Sequence, residues 1–163
     1  MSEKQAFLDA WTREGATTVK VLRAYPEGKT DLKPHPALRS AKDLAWVFVF
    51  DGVAGSQAVQ GEMKFPPPNM PPKPSSWPGM VDEVEKAMKF MTDKVRQVDE
   101  HQLNTTVKFV TGPKQMSDLR RLDVLWFLLN DHIHHRGQFS VYLRMAGGKV
   151  PAIYGPSADE KWS

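Results

Sequence analysis

LLNDHIHHRGQFSVYLRMAGGKVP, residues 128–151, decides the fold of this 163-residue chain. Leu122, Leu125, Trp126, Phe127, Leu129, Ile133, Val141 and Leu143 surround the polar cluster Asp131, His132, His134 and His135. Apolar residues on nearly every side predict a long helix over 117–146, enclosed by other helices and stopped by Gly147-Gly148. Three of the five histidines of the chain fall within four positions of this helix.

Working outward, three more helices are expected. Phe7, Leu8, Trp11, Thr18, Val19 and Leu22 keep helical spacing over 3–24, ahead of Pro26 and Gly28. Ser40 with Asp43 three residues on reads as an N-terminal cap for a second helix, about 40–62, which is apolar almost all round at its start. Ser76 and Pro78 open a third, about 78–101, with a narrow stripe of Val81, Val84, Met88, Met91, Val95 and Val98. Between the second and third lies FPPPNMPPKPSSWP, residues 65–78, with seven of the thirteen prolines. It is expected as an extended connection whose exposed aromatics are available for contacts. Residues 104–112 are β-prone but short, a loop or small hairpin arm. The expected class is all-α: one domain over 1–163, a four-helix bundle with long connections.

Composition narrows the chemistry. No cysteine is present, so disulfides, thiolate nucleophiles and Cys-ligated metals are excluded, and any metal must be held by His and carboxylates. The net charge of +3 is spread among 22 basic and 19 acidic residues, and nucleic-acid binding is not expected. The N-terminal MSEKQAFLDAW lacks the apolar centre of a signal peptide, and no run approaches the ~20 residues of a membrane span. A cytoplasmic protein is the expectation.

On a helical wheel with Val124 at zero, Asp131 lies near 340°, His135 near 20°, Gln138 near 320° and Tyr142 near 0° (all about). Asp131 and His135, four apart, therefore share a face that Gln138 and Tyr142 extend. His132 sits about 60° from His135, at the edge of that face, and His134 points elsewhere. Two donors at i and i+4 suit one metal ion, and they equally suit a hydrogen-bonded Asp–His pair with no metal. Gly137, mid-helix, predicts close approach of a neighbouring helix or a ligand. Arg136 is expected to pair with a carboxylate from another helix, with Asp51 one candidate.

The string His134-His135-Arg136-Gly137-Gln138, then Val141-Tyr142-Leu143-Arg144, Gly148-Lys149-Val150-Pro151 and Tyr154-Gly155, resembles the C-terminal signature of the DinB/YfiT-like superfamily. That resemblance, which extends over essentially the whole chain, implies a four-helix bundle, often dimeric, with a divalent ion between helices. It also implies hydrolase or thiol S-transferase activity on a small molecule, as in some members. Three histidines usually hold the ion, two on the last helix and one on the second. Here the last-helix pair matches Asp131 and His135, and the helix-two position, after Leu44-Ala45-Trp46, holds Val47. Asp51, one turn on, or His132 would have to complete the site. An Asp/Asp/His set shifts preference among zinc, nickel, manganese and magnesium toward the harder ions. The candidate metal ligands are thus Asp131 and His135, with Asp51 or His132 to complete the set, and Gln138 and Tyr142, on the same face, are expected to orient substrate. The alternative, which Val47 favours, is a metal-free, non-catalytic bundle that binds a small ligand or serves as a dimeric interaction module.

Overall fold

The computed structural model describes residues 2–161. Helix α1 spans Glu3–Arg23, and Ser2 caps it by accepting from the Gln5 amide. Helix α2 spans Ala41–Gln60. The Ser40 hydroxyl accepts from the Asp43 amide at 3.3 Å and donates to Asp43 Oδ2 at 2.6 Å. The acid predicted from the cap motif thus grips the serine itself. Gly61, at φ 85°, ends α2 in the left-handed region that favours glycine. Helix α3 spans Trp77–Gln97, capped by Ser76 with Pro78 in its first turn.

Two boundaries differ from the sequence expectation. The third helix stops at Gln97 because Val98 is extended and Asp99 starts a separate turn, α4 (Glu100–Leu103). There the Asp99 and Gln102 side chains cap each other's backbone amides. The last helix begins at Arg121, not 117. Residues Gln115–Arg120 instead form β2, antiparallel to β1 (Thr106–Gly112). Cross-strand partners win over helix formation here: Val107 faces Leu119, and Lys108 pairs with Asp118 at 2.8 Å. Helix α5 then runs Arg121–Met145.

The protein is thus mostly helical with one two-stranded sheet. Helix α1 packs on α3 and α5, and α2 packs on α3 and α5, around a core that includes Trp11, Phe48, Met91, Leu125 and Phe139. The tight crossing is between α2 and α3. A Cβ on Gly52 would stand 2.6 Å from the Ala87 carbonyl oxygen. Gly137, expected to mark such a crossing, has nothing within 4 Å of a Cβ built on it, so its cost to the helix is not repaid by packing. Trp77, at the end of the proline-rich segment, is buried and donates to the Leu22 carbonyl at 2.9 Å, while Phe65 stays exposed. Among the described residues no helix is long and apolar enough to cross a membrane.

Candidate functional site

The polar residues of α5 divide between two faces. Leu125, Leu129, His132, Arg136, Phe139 and Leu143 form the buried stripe. Asp131, His135 and Gln138 lie at its margin. The wheel placed the second set at the centre because apolar residues all round the helix conceal which stripe is deepest. The structure therefore separates the four expected ligands into two pairs.

The first pair opens on a cleft. The His135 Nδ1–H donates to the Asp131 carbonyl oxygen at 2.9 Å and lies 3.2 Å from the Asp131 carboxylate. Both neighbours of Nδ1 are acceptors, so the proton sits there and Nε2 is left to face outward. The hydrogen bond from His135 outweighs burial and holds the Asp131 carboxyl below the usual carboxylate range. Helix α2 supplies the opposite wall, Asp43, Trp46, Val47 and Phe50, with Arg39 before it and Lys73 from the proline-rich segment. This cleft encloses about 580 Å³. A second hollow of about 310 Å³, lined by Leu44, Gln138 and Tyr142, shares Arg39 and His135 with it.

Of the residues expected to orient substrate, Gln138 lines this second hollow with its amide nitrogen 2.8 Å from His134 Nε2. Tyr142 is buried, and its hydroxyl donates to the Arg39 carbonyl at 2.9 Å, so it anchors the loop carrying Arg39.

The second pair is sealed in the core. His132 Nδ1 stands 3.5 Å from Asp51 Oδ2, and both side chains have no exposure. His132 packs between the rings of Trp11 and Phe48. Its Nε2 lies 2.8 Å from Thr18 Oγ1, whose hydroxyl donates to the Glu14 carbonyl at 3.1 Å. With that hydroxyl proton committed, Nε2 carries the imidazole proton and Nδ1 presents a lone pair to Asp51. Burial, then the Asp131 charge, pushes the Asp51 carboxyl well up, and burial, then Arg136, pushes His132 down to about 3. His132 is therefore neutral at pH 7, and burial drives Asp51 toward its protonated, neutral form.

Next to it lies a group that sequence reasoning reached from one side only. Arg136, fully buried, pairs with a carboxylate of another helix as expected, but the partner is Glu14 at 2.8 Å, not Asp51. Tyr154, from the C-terminal tail, donates to the same carboxylate at 2.5 Å and accepts from Arg136 at 2.6 Å. Burial raises the Glu14 pKa, but the bonds from Tyr154 and Arg136 outweigh it and leave the carboxyl below its ordinary value. The signal was available: Glu14 continues the stripe of Phe7, Trp11 and Thr18 on α1.

Among the described residues no three His, Asp or Glu side chains converge to hold a metal. Val47 lines the cleft together with Asp131 and His135 and offers no donor, while Asp51 and His132 turn into the core. Two donors, already bonded to each other, do not fit a resident ion that needs three protein ligands.

A model of the DinB family matches residues 68–162. The chain belongs to the DinB family. YrdA of Bacillus subtilis (strain 168), an uncharacterized protein, is 28% identical to this DinB protein over 159 residues, 96% of this chain and 90% of YrdA. The crystal structure of a DinB-like protein from Bacillus cereus ATCC 10987 superimposes with a TM-score of 0.74 at 25% identity, covering 92% of this chain and 97% of that one. A second DinB-like protein, YjoA of Bacillus subtilis, gives a TM-score of 0.73 at 13% identity over 96% of this chain and 99% of its own, a likeness of fold.

Proposed function

We propose that this DinB-family four-helix bundle binds a small organic molecule in the cleft between α2 and α5 and works there without a resident metal ion. The observation that carries this reading is Val47, which stands in the same cleft as Asp131 and His135. An aliphatic side chain at that place removes the third donor and lays an apolar wall beside Trp46 and Phe50. A cleft of this volume, mostly apolar with a few convergent polar groups, has the character of a small-molecule site.

A second reading keeps catalysis. Asp131 engages His135 Nδ1 and leaves Nε2 of this cleft-lining imidazole unbonded among the described residues, an arrangement suited to taking a proton from a water or a thiol cosubstrate. On that reading the hydrolase or thiol S-transferase chemistry implied by the family resemblance would proceed by acid–base catalysis. The protein is further proposed to be cytoplasmic and to form a homodimer.

Elemental analysis of protein purified without chelator, beside Asp131→Ala, tests the metal-free reading. Far less than one ion per chain in both, and a melting temperature indifferent to chelator, are expected. One zinc, nickel or manganese per chain in the wild type, lost in Asp131→Ala, would overturn it, because a bound ion stabilises by mass action and its removal must lower the melting point.

A further inference from the structure

Building on the cleft as a ligand site, we propose that its ligand is an organic acid. Its anionic head is taken by Arg39, and its apolar body lies across Val47, Trp46 and Phe50.

The charges of the cleft leave one cation over. Lys73 Nζ is bound to Asp43 Oδ1 at 2.5 Å and lies over the Trp46 ring at 5.7 Å. Asp43 also takes the Ser40 hydroxyl. Asp131 is held by His135. Among the described residues Arg39 has no ion pair and its guanidinium makes no hydrogen bond, although it is close enough to help keep Asp131 ionised. It is one of the two residues that line both hollows, so a head group bound to it reaches either.

Its backbone is also held in place. The Arg39 carbonyl is fastened by the buried Tyr142 hydroxyl, and the next residue, Ser40, is the α2 cap. A guanidinium presents a planar fork of donors that matches a carboxylate or phosphate bidentately, so an unpaired, backbone-anchored arginine at a cleft mouth selects such heads. The body then meets the indole of Trp46, the ring of Phe50 and the Val47 methyls, surfaces that favour an aromatic or branched aliphatic group. Within reach, His135 Nε2 accepts from an O–H or N–H on that body. Val47 fits this scheme as a contact surface where a metal-binding member would carry a donor.

The test uses three matched probes: 2-naphthoate, 2-naphthyl phosphate and the neutral 2-naphthamide. They are titrated by calorimetry into wild type and Arg39→Gln, with amide NMR shifts mapping the location. Either acid is expected to bind roughly tenfold or more tighter than the amide, with shifts at residues 39–50 and 131–138, and Arg39→Gln to erase that margin without weakening the amide. Whether naphthoate or the phosphate binds more tightly identifies the head group as carboxylate or phosphate. The Arg39 side chain is exposed, so the variant is expected to keep its fold. Equal binding of acids and amide at these residues would overturn the organic-acid inference while leaving the cleft as a ligand site. No binding by any probe, or shifts confined to other surfaces, would overturn both.

Discussion

The two Asp–His pairs of this protein are made of the same residue types and share adjacent positions of α5, yet they are chemically opposite. Asp131 and His135 belong to one helix, are 34% and 15% exposed at the side chain, and lie beside Arg39 and Lys73. The hydrogen bond from His135, with smaller help from the charges of His134 and Arg39, keeps the Asp131 carboxylate ionised. Asp51 and His132 reach across from α2 and α5, are closed off by Trp11 and Phe48, and have no cation bound to the carboxyl. Burial disfavours charge on both members of that pair. A rotation of one residue along α5, about 100°, separates a solvent-accessible, charged environment from a sealed one. Residue type nominates a site, and solvent access decides what it does.

The comparison breaks most visibly in the core. Glu14→Ala leaves Arg136 buried without its carboxylate and is expected to cost about 3–5 kcal/mol in urea denaturation. A loss below 1 kcal/mol would mean that Arg136 escapes to water. His132→Ala should come next, at about 2–4 kcal/mol, because it opens a cavity between Trp11 and Phe48 and removes the imidazole partner of Thr18.

Acid provides a third test. The Glu14 pKa is depressed in the folded protein, so its contribution is present above the unfolded value near 4.5 and is lost as pH falls through the folded value. Glu14→Gln should therefore be less stable than wild type at pH 7, and the gap should narrow below pH 4.5. A gap that stays constant down to pH 3 would remove Glu14 as its source. The smallest effect is expected at the cleft: Asp131→Ala should cost less than about 1 kcal/mol, as half-exposed pairs do. A cost comparable to that of His132→Ala would erase the distinction between the pairs.

Much of this contrast was legible in the sequence, and the misses have physical causes. The i, i+4 spacing of Asp131 and His135 correctly put them on one face, and the capping serines Ser40 and Ser76 marked true helix starts. The edge position given to His132 failed because α5 is apolar on nearly every side. Only the packing of α1 and α2 shows that the Leu125–His132–Phe139 stripe is the deepest. The β2 segment read as helix because QMSDLR carries no strong strand signal of its own and is drawn into the sheet by β1. Gly137 read as a crossing point, whereas Gly52 serves that role on a helix whose small residues Ala54, Gly55 and Ala58 made it inconspicuous. Tyr154 had no periodicity to place it, since it arrives on an irregular tail.

On the proposed reading, the cleft keeps two donors, Asp131 and His135, and Val47 withholds a third. Zinc and nickel titration by calorimetry, on wild type and Val47→His side by side, tests it most directly. The account predicts no stoichiometric binding to wild type, and about one ion per chain in Val47→His, with a melting temperature that rises on metal addition. One tightly bound ion in the wild type, unchanged by Val47→His, would contradict it.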